Sequence, residues 1–493
     1  MHSFPARRVI VPAAVLAVLA VVLVQRANAA PACVFDAPSA TVTVTLGPNE
    51  STTVSRQLDT IAVDGVPCGA TVMDTDTITA TGSGAGNQLT IDLGGGAFAP
   101  GKTAESDGAD SEIEWSVDLG QNGIVRVLGG AGVDTIAVGG GGINLNGAEA
   151  SGDIDVVLAN APVVSLEGGS GDDQLSAAGL QGTGAPTGGL TLHGDDGADT
   201  LIEGTGSDQV DGGAGTDTLD FRGSTQVAIA SMATGIATVN GAATTMFSSI
   251  ENVTGSPGDD HIVGDGTANV LAGAAGADVI EGSGGDDVLA GGPGADTVDY
   301  AGAPHGVIVD LGAGTATGDG TDTLSEFENI SGSAFADLLT GDDTPNAIAG
   351  GDGDDFVIGA LGDDQLAGGP GVDTLDFGSS TAGVQVDLAL GAATGDGADT
   401  ITEFENVKGT DLADDITGDD GPNTIAARGG SDTVHGGAGA DTVRGGGGTD
   451  IIYGGDDDDV LRGGTGKDQI IGGGGQDRCS GGLDPDAWVD CES

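Results

Sequence analysis

The sequence predicts an all-β solenoid of short strands and glycine turns, and three observations point to it. From Gly409 to Ser480 the chain repeats eight times in steps of nine. The best copies place glycine at positions one, two and four, an acid at six and a branched apolar residue at eight. That pattern describes a turn followed by a three-residue strand with one side chain facing inward. The second observation is compositional. With 96 glycines, two tryptophans and 3% aromatic residues, the chain cannot fill one large globular core, so it must be quasi-one-dimensional. The third is a longer period: Gly255, Gly332 and Gly409 each open a run of nonamers and lie 77 residues apart.

The best copies are Gly436-Gly437-Ala438-Gly439-Ala440-Asp441-Thr442-Val443-Arg444 and Gly463-Gly464-Thr465-Gly466-Lys467-Asp468-Gln469-Ile470-Ile471. They follow GGxGxDxUx, and in this the chain resembles the RTX, or hemolysin-type, calcium-binding repeat family. The resemblance implies a right-handed parallel β-roll in which two nonamers make one coil, so that every second copy stacks on the same edge. Position-six acids would then face each other across about 4.8 Å. Calcium takes about six to eight oxygens at roughly 2.3–2.6 Å, which two carboxylates and about four turn carbonyls would supply. Glycine turns allow this because no Cβ obstructs the carbonyls. Without the ion the acids form a like-charge ladder, costing about 1 kcal/mol per adjacent pair even in water. One apolar side chain in nine offsets little of the backbone entropy that glycine loses. The repeats are therefore expected to be largely unfolded without metal, with ion binding supplying folding free energy. Asp beside Gly favours a turn in any loop, but turn preference alone does not enforce a nine-residue register.

The candidate calcium ligands are the position-six acids. Asp134 and Asp173 sit in isolated copies, and Asp199, Asp208 and Asp217 in consecutive nonamers from Gly194 to Asp220. Asp260, Asp278, Asp287 and Asp296 belong to the next run, and Asp337, Asp355, Asp364 and Asp373 to the one after. Asp414, Asp432, Asp441, Asp450, Asp459, Asp468 and Asp477 belong to the longest. The second nonamer of these three runs has Asn269, Asn346 or Asn423 at position six, either a weaker neutral ligand or a plain asparagine turn. In Asp456–Asp459 the last residue has the ligand register, and its neighbours read as a solvated acidic face.

Taken in order, residues 1–29 read as a secretory signal peptide. Arg7 and Arg8 precede an apolar run from Val9 to Val24, then Ala27-Asn28-Ala29. The run contains Pro12 and falls short of the roughly 20 residues that span a bilayer, although an uncleaved anchor is the alternative. Residues 30–127 alternate, as in Ala40–Leu46 and Gln88–Leu93, and predict a small β region capping the solenoid, fastened by Trp115 and a Cys33–Cys68 bridge. Irregular solenoid with the first nonamers follows over 128–220. Repeat blocks are expected at 255–299, 332–376 and 409–480, separated by spacers at 221–254, 300–331 and 377–408. The spacers match one another: Val307–Leu311 recurs as Val384–Leu388, Glu326–Ile330 as Glu403–Val407, and Ile250-Glu251-Asn252-Val253 keeps the same ending. Their alternation predicts extra coils without calcium, giving one rod of roughly 20–25 coils, on the order of 100 Å long at about 4.8 Å per coil. Residues 481–493 form a cap, with Trp488 as lid and Cys479–Cys491 as clasp, a short loop worth about 3 kcal/mol in the chain-entropy model. Both pairings rest on proximity along the chain; the alternative pairings would tie the two ends together. An even cysteine count behind a leader suits an oxidising compartment, and no CxxC offers a zinc site.

A net charge of −63 sets nucleic acid and anionic membranes aside as partners, because both are polyanions, and makes cations the natural counterpart. No HExxH or GxSxG is present, and His193, His261, His305 and His435 are scattered through turns and spacers. No long apolar helix follows the leader. The acylated toxins of the family also lack a cleaved N-terminal signal and carry a C-terminal export signal instead. The enzymatic rival is a β-helix polysaccharide lyase or epimerase with calcium. Such sites need basic groups clustered beside acids, whereas Lys102, Lys408 and Lys467 are far apart. The sequence therefore predicts a secreted, non-catalytic calcium-binding protein. Its expected role is a structural or adhesive component of the cell exterior, with a cell-surface polysaccharide or protein as candidate partner.

Overall fold

The computed structural model describes residues 32–96, 113–145, 155–160, 163–179, 189–204, 206–224, 228–239, 243–482 and 484–492. The expected signal peptide and Lys102 lie outside the described residues. The described residues form strands and turns without a helix, and their strands fall into two long, mostly parallel sheets. The chain divides into two compact units. Met1–Gly171 makes up most of the first, and Asp172–Ala178 with Leu192–Ser493 most of the second.

In the first unit, Thr41–Leu46, Thr77–Gly82, Glu114–Asp118 and Val156–Ala159 stack in parallel, with Val42 level with Ile78, and Ile78 with Trp115. Ser51–Gln57, Gln88–Asp92, Ile124–Leu128 and Val163–Ser170 stack likewise in the other sheet. Alternation fixes which side is inward: Val42, Val44, Leu46, Ile78, Trp115, Leu89, Ile91, Val125 and Val127 are all buried. The small capping β region expected here is thus itself a parallel solenoid. Its coils are about twice as long as a pair of nonamers: Thr41 is level with Thr77, 36 residues later. Period-two alternation revealed the strands but carries no information on what each strand pairs with. Cys33 is bridged to Cys68, joining the antiparallel strand Ala32–Asp36 to the hairpin strand Val66–Thr71.

In the second unit positions seven to nine of each nonamer form a strand, which from Thr424 onward runs on into the following glycines, and pairs with the copy 18 residues away. Val270 is level with Val288, Val279 with Thr297, Thr442 with Val460 and Ile451 with Gln469. Position eight faces inward throughout: Ile262, Leu271, Ile280, Leu289 and Val298 are fully buried, as are Val434, Val443, Ile452, Leu461 and Ile470. Each contributes roughly 1.5–3 kcal/mol by leaving water.

The spacers differ from the extra coils expected of them. In the second, Ile308–Asp310, Thr315–Thr317 and Thr321–Ser325 form an antiparallel meander inserted into one sheet, between Val288–Ala290 and Leu338–Thr340. The facing sheet receives nothing, and Thr297 stacks directly on Asn329. Two tight turns, with Gly314 at φ 67° and Gly318 at φ 125°, reverse the chain before it can cross to the other sheet. The first spacer (strands Ala228–Ser231, Ile236–Val239, Ala243–Ser248) and the third (Gln385–Asp387, Ala392–Thr394, Ala398–Thr402) insert the same meander into the opposite sheet. The alternation follows from arithmetic in the sequence. Five nonamers separate consecutive spacers, an odd number of half-coils, so each spacer enters on the side opposite the last.

At the C-terminus Cys479 lies level with the inward Leu461 and is bridged to Cys491. Trp488 is level with Ile470 but remains 51% exposed. Half-exposed, it is not the buried lid that the sequence suggests.

Candidate metal centre

Stacking at 18-residue intervals turns the position-six acids into ladders. Within a run a carboxylate uses Oδ1 to accept the backbone N–H of the position-six residue one coil earlier, whereas Oδ1 of the run-opening Asp337 and Asp414 takes the Val307 and Val384 N–H instead. Asp260 donates to Asp278 at 2.7 Å and Asp278 to Asp296 at 2.8 Å; Asp337, Asp355 and Asp373 repeat the arrangement at 2.8 Å. Asp414, Asp432, Asp450 and Asp468 continue it at 3.0–3.1 Å, and Asp441, Asp459 and Asp477 at 2.8–3.0 Å. Asp173, Asp199 and Asp217 do the same at the start of the unit.

The second oxygen is the informative one. Oδ2 is buried without a hydrogen-bond partner in Asp199 and Asp217, in Asp278, Asp287 and Asp296, and in Asp355, Asp364 and Asp373. The same holds for Asp432, Asp441, Asp450, Asp459, Asp468 and Asp477. A buried carboxylate oxygen left unpaired is costly and rare. It points into the space that glycine at position one leaves open: a Cβ on Gly436, Gly445 or Gly454 would fall within 3.0 Å of Oδ2 of Asp441, Asp450 or Asp459. The same Cβ would also meet the position-one carbonyl of the next coil, Gly454, Gly463 or Gly472. An anionic oxygen and main-chain carbonyls therefore converge on one pocket per turn. Among the described residues no three His, Cys, Asp or Glu side chains cluster, so most of a cation's shell must come from the backbone. An all-oxygen, acceptor-only donor set suits a hard cation such as calcium.

Burial also penalises the ionised form of these carboxylates. Burial pushes Asp217, Asp278, Asp287, Asp355, Asp364 and Asp459 up to about 6, with the backbone hydrogen bond opposing and neighbouring carboxylates adding to the rise. Asp432 and Asp441 rise to about 7 for the same reasons. Asp199, Asp296, Asp373, Asp450 and Asp468 move in the same direction, burial again foremost.

The ladder acids are not equivalent. Asp260, Asp337 and Asp414 open their runs, and there position two is Ser256, Ser333 or Thr410 instead of glycine. Ser333 donates its N–H to Asp337 Oδ2 at 2.6 Å and its hydroxyl to Oδ1 at 2.7 Å; Thr410 does the same to Asp414 at 2.7 and 2.8 Å, and Ser256 to Asp260. These carboxylates are already engaged within their own turn. Replacing Ser333 with Ala is expected to cost about 1–2 kcal/mol in chemical denaturation at saturating calcium, with no change in the number of ions bound.

Asn269, Asn346 and Asn423 are engaged as well. Each side-chain oxygen accepts the N–H of Asp265, Asp342 or Asp419, and each amide nitrogen donates to the carbonyl of Glu251, Glu328 or Glu405. The amide is needed for its donor, which favours the asparagine turn over the weak ligand. Asn346→Asp would set a carboxylate against the Glu328 carbonyl, and we expect it to lower stability by about 1–3 kcal/mol in the same assay.

Several ladder members escape the nine-residue rule. Asp217 donates its N–H to Glu251, Asp296 to Glu328, Asp373 to Glu405 and Asp477 to Glu492, while Asp287 and Asp364 donate to Asp322 and Asp399. The spacers thus carry the ladder across. The signal was present: an acid two residues ahead of an inward aliphatic, as in Glu328/Ile330, Asp322/Leu324 and Asp399/Ile401. Asp322 is further held by the buried Tyr300 hydroxyl at 2.8 Å. In the isolated copies, Asp134 accepts the Gly130 N–H at 2.6 Å and Asp173 is buried; Asp208, in the consecutive nonamers from Gly194, is buried as well.

Among the described residues, basic and imidazole groups do not gather beside these acids. Lys408 pairs with Asp376 at 2.7 Å, His435 stacks on Tyr453 with ring centroids 4.4 Å apart, and His193 lies 3.8 Å from Asp211. His261 and His305 are exposed.

The geometry defines a repeat protein in which buried, unpaired carboxylate oxygens recur beside turn carbonyls, and comparison with known families points the same way. The family described as the RTX calcium-binding nonapeptide repeat (4 copies) matches residues 191–222, 248–280, 263–298, 340–375, 409–443, 417–452, 427–461 and 453–486. Between residues 191 and 486 the chain thus carries several copies of this calcium-binding nonapeptide repeat, which make it a calcium-binding repeat protein, and its two mostly parallel sheets fit the β-roll architecture. None of the curated proteins compared matches the chain.

Proposed function

We propose that this is a secreted protein whose β-roll is completed by calcium bound at the unpaired Oδ2 atoms, and that it serves as a structural or adhesive component of the cell exterior without catalysing a reaction. The observation carrying the reading is the row of buried carboxylate oxygens without partners, from Asp199 to Asp477. When bound, calcium supplies positive charge and a coordination preference that carbonyls satisfy. The chain's own residues do the rest: Oδ1 fixes each carboxylate to the coil below, glycine keeps the pocket open, and the Ser and Thr of the first turns close off the acids that face no pocket. Secretion is supported by the leader pattern in residues 1–29 and by the two bridges, and no described helix is long and apolar enough to cross a membrane. The non-catalytic reading is supported by the scatter of histidines and lysines, and a screen on acidic polysaccharides should release no product.

The test is a calcium titration followed together by far-UV circular dichroism and small-angle scattering. Compaction and strand signal should rise in step, saturating at millimolar calcium or below. A protein that takes up calcium with no change in either would contradict the reading. The mature N-terminus, determined on exported protein, tests the leader.

A further inference from the structure

In a chain of net charge −63, one exposed sheet face carries no acid at all. The strands Thr424–Gly430, Thr442–Gly448, Val460–Thr465 and Arg478–Gly482 stack in parallel, and their outward positions hold Arg444, Arg462 and Arg478 among Thr424, Thr442 and Ser480. Arg444 lies directly opposite Arg462, and Arg478 opposite Val460 on the next strand. All three are exposed. Every other described arginine meets a carboxylate: Arg56 with Asp59, Arg126 with Glu167, Arg222 with Asp220 and Arg428 with Asp411. Among the described residues these three have no ion-pair partner, although acids outnumber lysines and arginines 76 to 13 in the sequence. Like charges directly opposite on a sheet are destabilising, so the arrangement works against the fold that carries it. An anion bridging the guanidinium groups would reverse that cost, since guanidinium and carboxylate form charge-assisted, often bidentate hydrogen bonds.

We propose that this face binds a linear carboxylated polysaccharide, laid across the three strands so that successive carboxylates meet Arg444, Arg462 and Arg478 while Thr442 and Ser480 bond its hydroxyls. Charge and shape select that occupant. The cationic stripe is one sheet wide, and the exposed acids Asp456, Asp457 and Asp458 stand in the turn that leads into its third strand. An extended polyanionic surface, such as an anionic bilayer or a duplex, would therefore meet more repulsion than attraction. A single thin chain meets only the acid-free face. Single-stranded nucleic acid needs aromatic platforms for its bases, and the outward positions of these four strands offer none. The inference deepens the adhesive reading by naming a partner, and it is independent of where calcium sits.

The test uses the whole protein in saturating calcium, with hyaluronate as the carboxylated probe and dextran as its neutral counterpart. Calorimetry should show binding to hyaluronate, none to dextran, and weakening with salt. The triple variant Arg444→Gln, Arg462→Gln, Arg478→Gln should lose affinity by roughly tenfold or more, with circular dichroism and calcium titration unchanged. Arg462→Glu alone should also weaken binding, which keeps the test open if the triple variant folds poorly. The proposal is overturned if wild type ignores hyaluronate or the variants bind it equally. It is also overturned if anionic vesicles or single-stranded DNA bind as well through this face, or if the three arginines instead hold a second copy of the chain, read as salt-sensitive dimer by light scattering.

Discussion

Stripped of calcium at pH 7.5, the chain is expected to lose most of its strand signal, and to recover much of it near pH 5 with no metal present. Asp217, Asp278, Asp287, Asp355, Asp364 and Asp459 have folded-state values of about 6, and Asp432 and Asp441 of about 7, well above their ordinary 3.8, because burial penalises the charged form. A raised acid makes the folded state bind protons more tightly than the unfolded state. The penalty it imposes is absent below about 3.8, grows as pH rises through the interval to 6 or 7, and is complete above it. Metal-free stability should therefore fall with rising pH across that window. Calcium takes the place of the proton at the same oxygens, so its binding releases protons and its affinity should drop as pH falls below about 6. Circular dichroism in a strong chelator from pH 5 to 8 checks the first statement, and calcium titrations at pH 5.5 and 7.5 the second. The sequence isoelectric point near 4.1 leaves the chain strongly anionic and soluble across this range. A chelated protein whose strand content is independent of pH would count against the ladder as the seat of the effect.

The second large effect is expected from Gly448→Val. Gly448 has φ 140°, and a Cβ there would collide with the carbonyl oxygen of Gly430 one coil below. Neither a rotamer change nor a small shift relieves a clash between backbone atoms, and the left-handed conformation adds strain for a branched residue. Each coil rests only on its neighbours, so the break should separate the long run into two stacks and cost at least about 4 kcal/mol, seen as a split or strongly lowered calorimetric transition in saturating calcium. Gly266→Ala is the matched control. It occupies position three, meets nothing within 4 Å and has no positive φ, so it should change stability by no more than about 0.5 kcal/mol. Equal behaviour of the two variants would show that the glycines are not there for close approach between coils.

The parts of the fold legible in the sequence were those with a fixed period. Nine-residue spacing located the strands of the second unit and the inward set from Ile262 to Ile470, because a parallel stack repeats the same environment at the same interval. What escaped lacked that interval. Residues 32–128 alternate like any half-buried strands, and nothing local states that Val42 sits level with Ile78 rather than in a separate sheet. The meanders were read as coils because Val307–Leu311 alternates equally well in either; the decision lies in the short turns at Gly314 and Gly318. For the metal pockets, glycine and aspartate spacing located the acids but not their partners. Nothing in the repeat pattern states that Ser256, Ser333 and Thr410 at position two donate their hydroxyls to Asp260, Asp337 and Asp414. Glu251, Glu328 and Glu405 were passed over because they stand in spacers, although they hold the position-six offset from the inward residue.

The central claim is that calcium sits at the buried, unpaired carboxylate oxygens between coils. Calcium anomalous diffraction from crystals grown in millimolar calcium tests it most directly. Peaks are expected beside Oδ2 of Asp432, Asp441, Asp450 and Asp459, and absent beside Asp260, Asp337 and Asp414. Peaks confined to the exposed Asp456–Asp458 patch, or none along the ladder, would contradict the account.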